Sequence, residues 1–472
     1  MGLPSFVRLQ LRSLQPTYDD ASNPWKLLRN LTKQQWKFFL IGFSAWTWDA
    51  FDFYTVITAL PSLSVEFERS QARITLFVTL VLMLRPLGAA IFGLVADALG
   101  RKRPFIINCV LLIVFQLATG FCQTYEQFLA VRALFGIAMG GLYGNAVTTA
   151  LEDCDVRARG LMSGAYQSGY PFGFLLATAF WRAFSHTPHG WRTIFWFSAG
   201  FPVLLIIFRW MMPETDKYEQ RRAIRHKGSN MRGSISDALR GSAEHWRLLT
   251  YLVLLMAGLF YLTHGTADAI PIMLSTQYNL PSHKITTIQV TAFIGAILGS
   301  WISGYCSEIF GRRFCMILLS VIGGALLYPY AFAPLPGVYA LAFFEQFCVQ
   351  GIFGIIPVYL MELSPPAYST FIVGTSYHLG VLCASPALTI VTAIAGRYPL
   401  DPEGINYSMA ICIFMACVYV YVIVIASIGP ENRKPHLAEA NMDESEEGDD
   451  QLRGGTYDIS LWTGAHKGRP RY

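Results

Sequence analysis

Charged residues are scarce in this chain. Asp, Glu, Lys and Arg make up 14% of its 472 residues, whereas a typical soluble domain contains about 25%. A soluble protein of this length needs more polar surface than that to cover its core. The hydrophobic residues, 53% of the chain, instead form runs of about twenty, enough for a helix to cross a bilayer. The composition therefore excludes a soluble globular protein and predicts a multi-pass membrane protein in contact with lipid.

Sequence motifs of enzymes are missing as well. The chain has no metal-ligand spacing, nucleophile elbow or phosphate-binding loop in a suitable context, so we expect no catalytic residues, no cofactor and no metal. Its nine cysteines fall mostly inside apolar runs, where cysteine packs as a small hydrophobe. The net charge of +5 is typical of basic loops beside a membrane and does not indicate a nucleic-acid partner. We expect a monomer.

Twelve apolar segments are predicted to cross the membrane as helices, numbered here as spans 1 to 12. They lie near residues 37–60, 72–95, 104–122, 127–150, 160–183, 192–212, 248–275, 285–307, 312–333, 337–360, 370–396 and 407–429. The longest polar interruption separates the first six spans from the last six. The predicted domains are a cytosolic tail (1–36), an N-terminal six-helix bundle (37–212), a cytosolic linker (213–247), a C-terminal six-helix bundle (248–429) and a disordered acidic tail (430–472).

Positive charge is distributed unevenly between the predicted loops. Most of the loop Lys and Arg residues, including Arg101 to Arg103 and those of the linker, fall on one side, and basic loops tend to remain in the cytosol. Both termini are then predicted to be cytosolic. The basic residues before span 1 belong to a polar tail, so we expect a first span there and no cleaved signal peptide. The plasma membrane is the expected location.

One loop motif occurs twice, with glycines, an acid and basic residues at the same spacing. The copies consist of Gly93, Asp97, Gly100, Arg101, Lys102 and Arg103, and of Gly304, Glu308, Gly311, Arg312 and Arg313. Each copy follows the second span of its half, and Glu152 and Glu362 repeat at nearly the same offset. The chain is therefore predicted to contain two related halves. The acids can lie against a helix N-terminus or the loop arginines, which would hold one end closed in one conformational state.

These motifs resemble those of the major facilitator superfamily, which carries this loop after its second and eighth spans. Arg132, Gly136 and Gly140 resemble its fourth-span motif, although Ala138 departs from the usual glycine pattern. The resemblance covers nearly the whole chain up to about residue 430 and implies two six-helix bundles that alternate access to a site at the midplane. The predicted gating residues are Gly93, Asp97, Gly100, Arg101, Arg103, Arg132, Glu152, Gly304, Glu308, Gly311, Arg312, Arg313 and Glu362.

Ionisable residues inside the predicted spans need a reason, because a charge near the bilayer centre costs about 2.5–3.5 kcal/mol even on a mild scale. Asp49 and Asp52 share one face of span 1. Two such close carboxylates do not both ionise easily, so one could carry a proton; alternatively, both pair with Arg85 or Arg132. Glu345 in span 10 is a further candidate for proton coupling.

A second pair lies in span 7, where His264 and Asp268 are four residues apart and can exchange a proton near neutral pH. Both are predicted to serve substrate binding and proton coupling. Arg85 in span 2 is suited to a substrate carboxylate because of its bidentate guanidinium. Gln167 and His378 are the remaining predicted substrate contacts.

Within the superfamily, the residues around these charges resemble those of the sialate/carboxylate–proton symporters, particularly the fungal lactate and pyruvate permeases. The similarity covers Trp48 to Phe53, Leu84 to Pro86, and Thr263, His264, Thr266 and Asp268, whereas Phe260, Ala267, Ile272, His378 and Val381 depart from the permease pattern. The resemblance implies proton-coupled symport of a small monocarboxylate. The departures favour a less hydrophilic acid. The alternatives are a symporter or facilitator for a sugar or sugar acid, or a non-transporting nutrient sensor.

Overall fold

The computed structural model describes residues 23–69, 76–225, 245–400 and 404–432. The predicted tails and linker are only partly covered, since residues 1–22, 226–244 and 433–472 lie outside the described residues.

Helices occupy all twelve predicted positions, and each keeps its span number. Spans 1 to 6 are Lys33–Glu66, Leu76–Leu99, Lys102–Phe121, Tyr125–Leu151, Arg159–Gln167 with Gly169–Phe184, and Arg192–Ser198 with Phe201–Met211. Spans 7 to 12 are Trp246–Thr263 continuing through His264–Asp268 to Ala269–Thr276, Ser282–Phe310, Arg312–Phe332, Leu335–Leu363, Ser369–Ala384 with Ala387–Ala395, and Tyr407–Ile428. Spans 1–6 and 7–12 are called the N-terminal and C-terminal halves below.

Ten helices among the described residues are long and apolar enough to cross a membrane. Span 1, which carries two aspartates, and span 5, which is interrupted at Ser168, are not among them. Both helices have long stretches that are buried inside the protein. Because those stretches do not contact lipid, they do not need to be strongly apolar. The predicted all-α polytopic fold is confirmed.

Smaller elements were not predicted. A helix at Pro24–Asn30 precedes span 1, which begins at Lys33 because Thr32 and Gln35 form a capping box there. The predicted linker contains a helix at Asp216–Arg225. Two-residue strands at Pro399–Leu400 and Gly404–Ile405 pair between spans 11 and 12.

The two halves meet most closely at the end that holds residues 97–103 and 308–313, called the motif end. Gly304 of span 8 faces span 5, and a Cβ there would lie 2.5 Å from the carbonyl oxygen of Gly160. Gly144 of span 4 faces span 11, and a Cβ there would lie 2.6 Å from the carbonyl oxygen of Thr370. Because only glycine permits such an approach, these positions bring the backbones of the two halves together.

Span 7 is locally widened. Residues His264–Asp268 form a π-helical turn between two α-helical segments, and such turns are frequent at functional sites. The turn occurs where the sequence places a histidine and an aspartate, so it positions two of the predicted site residues.

Candidate functional site

A buried ion pair joins spans 1 and 2. Arg85 Nη2 lies 3.1 Å from Asp49 Oδ2, and both side chains are almost completely buried. The guanidinium also lies over the Phe53 ring, at 5.4 Å from its centroid. Asp49 Oδ1 has no hydrogen-bond partner among the described residues. Arg85 is thus held by one oxygen of one carboxylate, which leaves the pair incompletely satisfied.

Asp52 belongs to a separate network, although it is only one helical turn away. Its Oδ1 accepts a hydrogen bond from Gln116 Nε2 at 3.2 Å, while Gln116 Oε1 accepts one from Arg132 Nη1 at 3.1 Å. Gln116 also donates to Ser198. The sequence left open whether the two aspartates pair with arginines, and the structure contains both pairings, one direct and one through Gln116. Their role in proton coupling stays a prediction.

The His264–Asp268 pair faces a more open environment. His264 Nδ1 lies 2.7 Å from Asp268 Oδ2, and the two side chains are 17% and 48% exposed. In the same π-helical turn, Thr266 accepts a hydrogen bond from Gln346 of span 10 at 2.9 Å. The pair is therefore accessible, in contrast to the buried aspartates of span 1, and it is linked to span 10.

Tyrosines connect the charges of the two halves. The rings of Tyr54 and Tyr170 are 5.4 Å apart. The Tyr170 hydroxyl is within electrostatic range of Arg85 and Asp49 on one side and of Asp268 on the other. Ionisable groups of both halves therefore border one region. These tyrosines were not predicted as site residues, because aromatic residues are common throughout the spans and give no distinguishing signal.

Phenylalanines close the space beside these tyrosines. Phe174 of span 5 stacks on Phe293 of span 8 with 4.1 Å between ring centroids, and Tyr54 packs edge-on against Phe174 at 5.0 Å. On the other side, Phe260 lies 6.1 Å from the His264 ring. The region between the charged groups is therefore lined mainly by aromatic surfaces.

Three predicted residues lie farther from the accessible pair. His378 is fully buried, with its ring 6.1 Å from that of Tyr143. Gln167 is buried in span 5, and its Oε1 has no hydrogen-bond partner among the described residues. Glu345 accepts a 2.6 Å hydrogen bond from Tyr419, within a cluster of spans 9, 10 and 12. The described contacts do not bring Glu345 together with Asp49 or Asp268, and its proton role stays a prediction.

At the motif end, each repeated acid contacts a helix N-terminus of the opposite half. Asp97 accepts hydrogen bonds from the backbone N–H groups of Thr370 and Phe371 at 3.2 and 2.9 Å; this is called the first clasp. Glu308 accepts one from the N–H of Gly160 at 2.6 Å; this is the second clasp. Negative charge at a helix N-terminus is favourable, so both clasps stabilise contact between the halves.

The arginines of the two copies hold these acids in place. Arg101 lies 3.3 Å from both Asp97 and Glu152, and Arg312 lies 2.6 Å from Glu308 and 2.9 Å from Glu362. Every one of these charged side chains is largely buried. The duplicated sequence thus produces a duplicated set of ion pairs.

The remaining predicted gating residues have different environments. Gly100 and Gly311 have φ angles of +100° and +112°, which favour glycine, and Gly93 faces the backbone of Phe371. Arg132 belongs to the Gln116 network described above, away from the clasps. Arg103 is exposed.

The structural counterpart of Arg313 is Lys102, which was quoted in the motif but not predicted to be functional. Lys102 donates hydrogen bonds of 2.7 Å to the carbonyls of Trp210 and Met212 at the end of span 6. Arg313 donates to the carbonyls of Ala426 and Ser427 at the end of span 12. The repeat offset of 211 residues aligns the two basic residues and was the signal that could have identified Lys102.

A second missed repeat follows the last span of each half. Glu214 accepts the backbone N–H of Lys102 at 3.0 Å, and Glu431 accepts those of Arg312 and Arg313 at 2.8 and 3.1 Å. Each acid follows a proline in the sequence. The two Pro-Glu steps could have been found by aligning the ends of the halves. They anchor the N-termini of spans 3 and 9.

Comparison with known proteins agrees with this architecture. Residues 28–247 match a family described as sugar (and other) transporter, and residues 265–462 match the major facilitator superfamily. The carboxylic acid transporter protein homolog of Saccharomyces cerevisiae is 36% identical over 432 residues, covering 87% of this chain and 70% of that protein. A probable 4-methylmuconolactone transporter of Cupriavidus pinatubonensis is 26% identical over 406 residues, covering 85% of this chain and 91% of that protein.

Among solved structures, the proton:xylose symporter XylE of E. coli superimposes with a TM-score of 0.69 at 15% identity, over 84% of this chain and 96% of that chain. Identity this low supports a shared fold and nothing finer. The relative in yeast is similar over most of both proteins. Together, the twelve helices, the duplicated motif and these similarities show that the chain is a multi-pass membrane transporter, not an enzyme, and belongs to the major facilitator superfamily.

Proposed function

We propose that the protein transports a small organic acid together with a proton, by alternating access between two states. The names of the yeast and Cupriavidus relatives support an organic acid substrate. The observation that carries the proposal is the buried pair of Arg85 and Asp49, since it offers a cation for the substrate carboxylate and an acid for the proton within 3.1 Å of each other.

The coupling follows from competition for Arg85. A substrate carboxylate can replace Asp49 as the partner of Arg85 when Asp49 has taken up a proton and lost its charge. Arg85 is then paired in both the empty and the loaded carrier. Binding the anion without the proton would place two carboxylates beside one guanidinium, and binding the proton alone would leave a buried cation unpaired. Both states are costly in a low dielectric, so anion and proton move together.

The His264–Asp268 pair is the proposed entry point for the proton. Asp268 of this pair is exposed, whereas Asp49 is buried. Tyr170 lies within electrostatic range of both aspartates. An imidazole and a carboxylate can each accept and release a proton. We place His264, Asp268, Arg85, Gln167 and His378 among the substrate contacts.

The energetics favour this coupling. An anion that enters against about 100 mV, negative inside, meets an opposing free energy of roughly 2.3 kcal/mol. One accompanying proton cancels the charge. Each pH unit of gradient then contributes about 1.4 kcal/mol toward uptake.

The aromatic lining favours an acid with an apolar or unsaturated body. Tyr54, Tyr170, Phe174 and Phe293 form contiguous ring contacts between the halves. Such surfaces bind an apolar substrate body better than the hydroxylated carbon skeleton of a sugar acid. We propose a preference for acids such as benzoate over lactate.

The proposed arrangement in the cell follows the sequence. The bundles 37–212 and 248–429 rock against each other, joined by the linker 213–247, with cytosolic tails at 1–36 and 430–472. The protein lies in the plasma membrane, and its motif end faces the cytosol. We propose that the structure represents the state in which both clasps close the motif end, with the exposed Asp268 reached from the opposite side.

The test uses purified protein in proteoliposomes with an imposed pH gradient, and a panel of labelled acids. The wild type should accumulate the acid. Its substrate affinity should fall about tenfold for each unit by which the pH rises, over the pH range in which Asp49 takes up its proton only when substrate binds. Asp49→Asn should bind with little pH dependence and exchange substrate without accumulating it. Asp52→Asn, one turn away on the same helix, is the matched comparison: accumulation kept in this variant assigns the coupled proton to Asp49 alone, and accumulation lost in both variants assigns it to the two aspartates together. Arg85→Ala should not bind.

Three results would contradict the proposal. The first is wild-type accumulation by Asp49→Asn. The second is equal competition by neutral sugars, which would favour a sugar transporter. The third is substrate binding without flux in sealed vesicles, which would favour a nutrient sensor.

A further inference from the structure

Ser163 of span 5 contacts the backbone of the opposite half. Its hydroxyl donates a hydrogen bond to the carbonyl of Gly354 at 2.8 Å and accepts one from the N–H of Val358 at 3.1 Å. The side chain is fully buried. Gly354 and Val358 are four residues apart in span 10, so their carbonyl and N–H are the two partners of one helical hydrogen bond. A hydroxyl from the N-terminal half therefore binds both partners of one backbone hydrogen bond in a helix of the C-terminal half.

Span 10 is easily bent at this step. Pro357 lies inside it and has no N–H, so the carbonyl of Phe353 loses its usual partner within the helix. Side chains that insert into a helical hydrogen-bond ladder also cause bends. The proline and the Ser163 hydroxyl thus act on the same turn.

The same helix connects both functional regions. At the motif end, Glu362 pairs with Arg312 at 2.9 Å. Four turns away, Gln346 donates to Thr266 in the π-helical turn that carries His264 and Asp268. A change in bend at Gly354–Val358 therefore alters the position of the turn relative to the motif end.

The repeat shows that this arrangement is specific to one half. At the repeat offset of 211 residues, Ser163 corresponds to Gly374 of span 11, and Pro357 corresponds to Ala146 of span 4. Gly374 packs against the backbone of Gly144 and carries no hydroxyl. General packing between the halves therefore does not require a hydroxyl at this position.

We propose that Ser163 is a positioning residue that couples closure of the motif end to the bend of span 10. In the closed motif end, the hydroxyl bridges Gly354 and Val358. When the halves part there, the hydroxyl withdraws, the Val358 N–H donates to the Gly354 carbonyl alone, and span 10 straightens. The movement reaches the His264–Asp268 turn through Gln346. The inference rests on the proposed alternation between two states and on no particular substrate.

Hydrogen exchange of the full-length protein in lipid nanodiscs, without substrate, tests this inference. Ser163→Ala should lower the ratio of closed to open motif end about tenfold. Amides at the N-termini of spans 5 and 11 should then exchange faster, while those of residues 268–276 at the opposite end should exchange more slowly. Opposite changes in the exchange rate at the two ends distinguish coupling from a general loss of stability, which would raise the exchange rate at both ends.

Ser300→Ala is the matched control. The Ser300 hydroxyl also donates to a carbonyl of span 10, that of Gln350 at 3.0 Å, and is also fully buried, but it belongs to the same half. This variant should leave the exchange ratio between the two ends at its wild-type value. Wild-type exchange in Ser163→Ala, or faster exchange at both ends, would overturn the inference. Since no substrate is present, neither result depends on the organic-acid proposal.

Discussion

Replacing Asp97 with asparagine should open the motif end. The carboxylate accepts N–H groups of Thr370 and Phe371 at 3.2 and 2.9 Å, and both belong to the opposite half. Asparagine has the same shape but only one acceptor oxygen and no charge. The change removes one charge-assisted hydrogen bond, about 1.5–3 kcal/mol, and the interaction of the charge with the helix N-terminus, about 0.3–1 kcal/mol.

Together these losses destabilise the closed motif end by roughly 2–4 kcal/mol. This corresponds to a change of about 30- to 900-fold in the closed-to-open ratio. Spin labels at Arg157, between spans 4 and 5, and at Ala367, between spans 10 and 11, would report the separation of the halves at this end in protein whose native cysteines have been replaced. The Asp97→Asn variant should gain a population with a longer distance.

Glu152→Gln is the matched control for this experiment. Glu152 accepts hydrogen bonds from Arg101 at 3.3 Å and from Thr215 of the linker at 3.1 Å, and neither partner belongs to the C-terminal half. The variant should therefore lower thermal stability and keep the wild-type label distance. A wild-type distance distribution in Asp97→Asn, or an equal change in both variants, would refute the reasoning.

Three further changes test other parts of the structure. Lys102→Met should lower the free energy of unfolding by about 1–3 kcal/mol, because its two hydrogen bonds to carbonyls are lost. Arg103→Met, at an exposed site, is the control and should change the free energy of unfolding by less than about 0.5 kcal/mol. Equal losses in the two variants, measured by denaturation, would contradict the anchoring role of Lys102. Gly304→Ala places a Cβ 2.5 Å from the Gly160 carbonyl oxygen and should lengthen the label distance; a wild-type distance would count against close packing there. Asp268→Asn should abolish accumulation driven by a pH gradient, and accumulation at the wild-type level would exclude Asp268 from proton transfer.

The helices could be predicted because their hydrophobic runs are long and separated by charged loops. Span 8, predicted at 285–307, extends over Ser282–Phe310. Breaks within helices could not be predicted in the same way. The π-helical turn at His264–Asp268 and the interruption at Ser168 depend on neighbouring helices, which a hydropathy pattern does not describe.

The partners of the buried charges could be predicted only as alternatives. Asp49 and Asp52 share a helix face, yet one pairs with Arg85 and the other reaches Arg132 through Gln116. That choice depends on the rotation and depth of four helices. An uncharged residue such as Gln116 gives no signal in a search for ionisable groups, although it decides the pairing.

The two halves contribute different properties to the proposed mechanism. The N-terminal half holds Asp49, Asp52, Arg85 and Arg132 buried, so that their charges are balanced inside the protein and change only when substrate and proton arrive together. The C-terminal half exposes Asp268, whose partner His264 is mostly buried, so the carboxylate can exchange protons with water. Neither half alone provides both an anion site and an accessible proton donor. Because Tyr170 interacts electrostatically with both Arg85 and Asp268, a movement of the halves that separates this tyrosine from Asp268 would also isolate the buried pair from the proton supply.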